Sequence, residues 1–168
     1  MQSNKITLSL LVENTPGVLS RISGLFSRRG YNIESITAGG TEDPTRTRIT
    51  VVASGEDLVL EQIRKQISKL VDVKEIITMS QEESVCRELM LVKVGVTNKE
   101  KQEVIAMANI FRAKIVDVAK DSLMMELTGT INKLNAFLGL LEDFEIKEMV
   151  RTGITALGRG AYEEKIRE

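Results

Sequence analysis

The chain has 168 residues, of which 42% are hydrophobic and 28% are charged, and its net charge is −1. This composition is typical of a soluble globular protein with one ample domain or two small ones. It argues against a protein built to bind nucleic acid or anionic lipid, and no apolar run approaches the roughly 20 residues of a membrane helix.

The absence of histidine and the presence of a single cysteine limit the catalytic and metal-binding chemistry that this chain can perform. There is no histidine, so imidazole acid–base catalysis, a Ser-His or Cys-His nucleophile and a histidine-rich metal site are excluded. The single cysteine, Cys86, precludes an internal disulfide and indicates a reducing cytoplasm, where a structural thiol is expected. Strand-like residues begin at Lys5, so we expect no targeting peptide. These features favour binding over catalysis, with no catalytic residue and no metal ligand in this chain.

The first half of the chain reads βαββαβ. Apolar residues alternate from Lys5 to Glu13, which predicts a half-buried strand, and a helical apolar stripe follows until Gly30. A turn around Pro44 separates two further strands, and a helix then begins after the small polar segment at 54–57. The last strand of this half is predicted over 71–79.

The same order recurs in the second half. The stretches VVASGEDLVLEQI and MELTGTINKLNAF share one layout of strand, small polar residue, glycine, cap and helix. The sequence therefore predicts the α+β class with two tandem ferredoxin-like βαββαβ sandwiches. We expect domains over 4–80 and 86–152, a linker over 81–85, and a glycine-containing, flexible C-terminal tail over 153–168. Two helices leave one sheet face of each domain without cover, so we expect at least a homodimer.

The junction ENTPGVLS, where the first strand meets the first helix, predicts a ligand site. Pro16 suits the first helical turn, and Gly17 has no Cβ to hold a ligand away. The amides of Gly17, Val18 and Leu19 would then face outward at the positive end of the helix dipole, where a carboxylate binds well. Asn14 adds a polar side chain beside them.

Asn32 is the predicted contact for the other end of the ligand. It opens the second strand, which we expect beside the first, and its carbonyl oxygen would accept from an ammonium group. Together the two ends would bind a zwitterion with the affinity of a metabolite sensor. The alternative is that Pro-Gly only caps and turns the chain. The corresponding junction of the second half, VTNKEKQEV, lacks Pro-Gly, which favours a ligand.

The stretch LLVENTPGVLSRISGLFSRRGYNIESITAGGTEDPTRTRITVV closely resembles the small, regulatory subunit of acetolactate synthase, also called acetohydroxyacid synthase. RELMLVKV, IFRAKIVDV and RTGITALGRG are similar to later parts of that family, so the resemblance covers nearly the whole chain.

The resemblance implies an N-terminal ACT domain and a C-terminal ACT-like domain, with no activity in this chain alone. It implies a large catalytic subunit as partner, activation of that subunit and feedback inhibition by valine. Thiamine diphosphate, Mg²⁺ and FAD would belong to the catalytic subunit. In that family the effector lies between two ACT domains, which makes the following residues the expected valine site: Asn14, Gly17, Val18, Leu19, Asn32 and Ile33.

The sequence favours three other functions less. An RNA-binding module of this strand order stacks bases on strand aromatics, but RTRITVVAS and SLMMELTG contain none. An enzyme would need a carboxylate pair, and the candidates, such as Glu82 with Glu83, lie where solvated charge is expected. The remaining alternative is a free-standing ACT-type amino-acid sensor that regulates another enzyme or a transcription factor.

Overall fold

The structure, a computed structural model, describes residues 4–80 and 82–160. It divides into two compact units, of which the second runs from Cys86 to Gly153, and the first contains the chain up to Val85 together with the stretch from Ile154. Each unit has the predicted βαββαβ order in the α+β class.

The first unit contains one four-stranded antiparallel sheet, ordered β2-β3-β1-β4, and two helices. The elements are β1 (Asn4–Glu13), α1 (Val18–Arg29), β2 (Asn32–Gly40), β3 (Arg46–Gly55), α2 (Asp57–Ile67) and β4 (Val73–Thr78). Alternate residues of the central strands pack with the apolar stripes of both helices, as the two periodicities require. This core includes Leu8, Leu10, Ile22, Phe26, Ile49, Val51 and Ile63.

Helix α1 ends where the sequence predicted. Gly30 has φ 66°, a left-handed conformation that costs glycine little. The Tyr31 amide donates to the Phe26 carbonyl at 3.0 Å, and the Gly30 amide donates to the Ser27 carbonyl at 3.2 Å. These bonds satisfy carbonyls of the last helical turn and direct the chain into β2.

The opposite face of this sheet carries polar side chains that are buried. Ser9 is fully buried and Thr50 is 2% exposed, and the two residues pair across β1 and β3. The expectation of an uncovered sheet face therefore does not hold at the centre of this sheet.

The second unit repeats the plan with sheet order β6-β7-β5-β8. Its elements are β5 (Ser84–Gly95), α3 (Glu100–Phe111), β6 (Lys114–Val118), β7 (Ser122–Gly129), α4 (Ile131–Leu140) and β8 (Glu145–Arg151). Its core contains Val92, Val94, Met125 and Phe137. The buried Glu88 accepts two hydrogen bonds from Arg151, at 2.7 and 2.8 Å, which ties β5 to β8.

Two boundaries differ from the prediction. Strand β5 begins at Ser84, inside the predicted linker, where the Ser84 hydroxyl donates to the Ser80 carbonyl. A ninth strand, β9 (Thr155–Gly158), pairs with β5 inside the predicted tail. A four-residue strand has too few positions to show a periodic pattern, so the sequence did not indicate it. The rest of the predicted flexible tail, 161–168, lies outside the described residues.

Candidate effector site

A tight turn precedes α1. The Val18 amide donates to the Thr15 carbonyl at 3.4 Å, and Gly17 has φ 85° and ψ −2°. Proline followed by glycine at such angles is the signature of a type II turn. The helix therefore begins after Gly17, whereas the sequence predicted Pro16 and Gly17 within its first turn. Glycine is needed here for its backbone conformation, in addition to any need for an open approach.

The start of α1 leaves backbone donors open. Of the amides of Gly17, Val18 and Leu19, only that of Val18 has a protein acceptor in the described part of the chain. No described side chain caps this end, and the first turn carries no acidic residue. The first helical bond runs from the Arg21 amide to the Gly17 carbonyl, at 2.9 Å. An anion placed at this turn would meet free N–H groups and the positive end of the helix dipole.

Arg21 adds a cation that the sequence reasoning missed. Its Nε and Nη2 atoms donate to the two carboxylate oxygens of Asp72, at 2.7 and 3.0 Å. Its Nη1 atom lies 3.1 Å from the point that a Cβ on Gly17 would occupy. The signal was present in the sequence, because residues four apart lie on one helical face and long side chains lean toward the N-terminus.

Ion pairs neutralise the carboxylates around this turn. The Arg21 hydrogen bond lowers the pKa of Asp72, and a hydrogen bond from Lys74 lowers the pKa of Glu13. Lys74 lies 2.5 Å and Arg46 3.5 Å from the same Glu13 oxygen. Because each of these carboxylates has a cationic partner, their charge opposes an incoming anion less than free carboxylates would.

Asn14 holds the loop in place. Its amide donates to the Thr45 carbonyl at 2.8 Å, and its side-chain Nδ2 donates to the Pro44 carbonyl at 3.1 Å. Both bonds fasten the loop to the turn between β2 and β3. The side-chain oxygen Oδ1 therefore remains as the acceptor that Asn14 offers to a ligand.

The three apolar residues of the predicted site differ in how much of their surface is exposed. Val18 is buried in the core and Ile33 is half-buried against it, whereas Leu19 is 47% exposed. Leu19 is thus the apolar side chain of this predicted set that presents most of its surface outward.

Asn32 lies at the far end of the sheet from Gly17. The expectation that β2 lies beside β1 is wrong, because β3 separates them. Asn32 pairs with Ser54, which pairs with Lys5, whereas the Gly17 loop follows Glu13 at the other end of β1. Eight residues at about 3.3 Å each separate these ends of β1 by about 26 Å. One chain therefore does not bring Asn32 and Gly17 to the same amino acid.

The side chain of Asn32 is arranged for an acceptor role. Its Nδ2 donates to the Ser54 hydroxyl at 3.0 Å, which leaves Oδ1 as its acceptor. Asn32 is exposed, so an ammonium group from outside the chain can approach it.

Within 4–80 and 82–160, no helix is long and apolar enough to span a membrane. The same residues contain no group of three or more cysteine, aspartate or glutamate side chains arranged to hold a metal ion.

Comparison with known proteins identifies both halves. Residues 8–75 match the family described as the AHAS small subunit-like ACT domain. Residues 87–160 match the family described as the small subunit of acetolactate synthase.

Similar proteins of known name cover nearly the whole chain. A probable acetolactate synthase small subunit from Methanothermobacter thermautotrophicus is 49% identical over 96% of both chains. The acetolactate synthase small subunit of Haemophilus influenzae is 45% identical over 91% of this chain and 94% of its own. The crystal structure of the small subunit from Thermotoga maritima has a TM-score of 0.86, 40% identity, and coverage of 95% of this chain and 99% of that one. The chain belongs to the acetolactate synthase small-subunit family, whose members are regulatory subunits with an ACT domain.

Proposed function

We propose that this chain is a non-catalytic subunit that binds the large catalytic subunit of acetolactate synthase in the cytoplasm, raises its activity and makes it sensitive to valine. Thiamine diphosphate, Mg²⁺ and FAD would be bound by the catalytic subunit. The observation that carries the valine assignment is the open start of α1, where the amides of Gly17 and Leu19 have no acceptor among the described residues and Arg21 Nη1 lies 3.1 Å from the Cβ position of Gly17. A carboxylate is the complementary group.

A complete zwitterion site would need two copies of the chain. Strand β2 lies at one edge of its sheet. If two protomers pair their β2 strands antiparallel, Asn32 of one copy meets the end of β2 that finishes at Gly40 in the other. The Gly17 loop lies at that same end, because Glu13 pairs with Arg46 there. The carboxylate would then bind one protomer and the ammonium group its partner, and valine would stabilise the dimer.

Inhibition would follow as a population shift. Valine bound across two protomers favours one mutual arrangement of their ACT domains, and the catalytic subunit would respond to that arrangement. Binding reciprocity gives a strict test: the catalytic subunit and valine must change each other's affinity for this chain by the same factor.

The test of this proposal is a calorimetric titration of valine into the pure chain, with and without the catalytic subunit, beside an activity assay. We expect binding in the micromolar to millimolar range, activation by this chain, and inhibition of the assembled enzyme by valine. Absence of any stable complex with the catalytic subunit would instead support a free-standing amino-acid sensor.

Asn32→Ala should weaken valine binding by about 1–3 kcal/mol, because an ammonium group loses a hydrogen-bond acceptor. The measurement is the calorimetric Kd. Asn4→Ala is the matched control, since Asn4 lies at the same end of the sheet and its side chain bonds Asp57 at 2.7 Å. An unchanged isotherm for Asn32→Ala would remove this residue from the site.

A mixing experiment tests whether the site spans two chains. One chain carries Gly17→Asp and the other Asn32→Ala, and the two are refolded together. In a mixed dimer, the intact Gly17 of one chain faces the intact Asn32 of the other, so one of the two sites is restored. Mixtures should regain valine inhibition that neither variant shows alone at the same valine concentration. A site built within one chain predicts no recovery.

A further inference from the structure

The first unit contains a cavity on the sheet face opposite α1 and α2. It has a volume of about 360 Å³ and lies between the ends of β2 and β3 and the β9 segment, which belongs to the same unit. Thr37 pairs with Thr50 and Gly39 pairs with Arg48 across β2 and β3, so these four positions point to the same face.

Thr50 presents an unused hydroxyl to this cavity. The residue is 2% exposed and lines the cavity, yet its hydroxyl has no hydrogen-bond partner among the described residues. No fully buried side-chain nitrogen or oxygen of the described chain lacks a partner. The Thr50 oxygen must therefore reach open space, and the cavity is the space that it lines. A hydroxyl that opens into a cavity without a protein partner is free to bond a group placed there.

Arg48 provides a charge beside that hydroxyl. It lies two residues from Thr50 on the same face of β3, and its Nη1 atom donates to the Ser9 hydroxyl at 3.0 Å. Its Nη2 atom forms an ion pair with a Glu75 carboxylate oxygen at 3.7 Å, a distance too long for a hydrogen bond. A guanidinium has five N–H donors, so several remain for a ligand.

The remaining lining residues and the volume limit which ligands the cavity can hold. Gly39 leaves its side of the cavity empty, with no atom within 4 Å of a Cβ built there. Ala156 and Leu157 contribute apolar lining, and Glu42 contributes a carboxylate residue. The volume is at the small end of metabolite sites.

We propose that this cavity is a second ligand site, which binds a small aliphatic carboxylate through Arg48 and Thr50. It is independent of the start of α1, which lies on the helix-covered side of the sheet. Two sources share this chemistry: an aliphatic amino acid, whose ammonium group would approach Glu42, and the 2-oxo acid that lacks this group.

The experiment is a titration of the full ¹⁵N-labelled chain, followed by amide NMR, with valine and separately with 3-methyl-2-oxobutanoate. We expect at least one probe to shift the amides of Gly39, Gly40 and Thr50 saturably, and to do so equally in the Gly17→Asp chain. If only valine shifts these amides, the ligand of the cavity is an aliphatic amino acid. If only 3-methyl-2-oxobutanoate shifts them, the ligand is a 2-oxo acid. Unshifted amides at millimolar concentrations of both probes overturn the proposal.

Substitutions inside and outside the cavity test whether binding occurs there. Gly39→Leu places a side chain in the cavity and should abolish binding. Gly24→Leu, in α1 on the other side of the sheet, adds a Cβ that meets no atom within 4 Å and should leave the affinity unchanged. Thr50→Val keeps the volume but removes the hydroxyl, and should weaken binding about fivefold to tenfold. Wild-type affinity in Gly39→Leu would refute the site. If the cavity binds neither probe but valine still inhibits the assembled enzyme, the second site is refuted and the proposed function stands. If the cavity binds a probe but valine does not inhibit the assembled enzyme, only the proposed function is refuted.

Discussion

Gly17→Asp is expected to abolish valine inhibition while the chain still binds and activates the catalytic subunit. The new side chain would start 3.1 Å from Arg21 Nη1, beside the open amides of Gly17 and Leu19, so its carboxylate would compete with the carboxylate of valine. Loss of one or two charge-assisted hydrogen bonds, at about 1.5–3 kcal/mol each, raises the half-inhibitory valine concentration by at least about tenfold. The measurement is an inhibition curve of the assembled enzyme.

The control for this variant lies at the other end of the same helix. Gly30 also has a positive φ, 66°, and a Cβ there meets no atom within 4 Å. Gly30→Asp therefore introduces the same residue with comparable backbone strain, but far from the predicted site. Aspartate is among the non-glycine residues that best tolerate this conformation. Circular dichroism shows whether both variants fold, and a normal valine response in folded Gly17→Asp would place the site elsewhere.

Phe26→Ala is expected to destabilise the first unit by about 3–5 kcal/mol, the range for removing a buried aromatic side chain. Phe26 is 1% exposed in the core, and its ring packs edge-on against Tyr31 at a centroid distance of 6.2 Å. The cost combines lost apolar burial with the cavity left behind, and α1 would lose its main anchor. Urea unfolding followed by circular dichroism measures the change.

Ser27→Ala provides the comparison, because Ser27 is the next residue of α1 and is exposed. Its free energy of unfolding should change by less than about 0.5 kcal/mol, as expected of a surface substitution. If Phe26→Ala unfolded at the wild-type urea concentration, the assignment of Phe26 to the core would be wrong. A parallel loss of valine sensitivity at temperatures where Phe26→Ala remains folded would connect the packing of α1 to the effector response.

Local patterns predicted the elements well where the pattern was long. The alternation in β1 and the stripe of α1 extend over 10 and 12 residues, and both elements were confirmed. The sequence also predicted the end of α1 correctly, because glycine at position 30 permits a left-handed cap. Strand β9 and the early start of β5 were missed, since each depends on pairing with a distant segment.

The candidate site was predicted in part. The Pro16–Gly17 junction does leave amides open, although the turn that contains it precedes the helix. The four-residue spacing indicates that Arg21 lies beside Gly17, but periodicity does not reveal its hydrogen bonds to Asp72, 51 residues further along the chain. The expectation that Asn32 faces Gly17 within one chain failed, because a helical crossover leaves room for β3 between β1 and β2.

By itself the sequence determined two copies of βαββαβ and the end of α1 at Gly30. Each of these follows from residues close together in the chain, where backbone conformation and side-chain period are set locally. Only the tertiary structure decided the strand order β2-β3-β1-β4, the separation of Asn32 from Gly17, the Arg21–Asp72 pair and the cavity at Thr50. These depend on which distant strands exchange hydrogen bonds and which faces are then buried together, a choice made by the packing of the whole core.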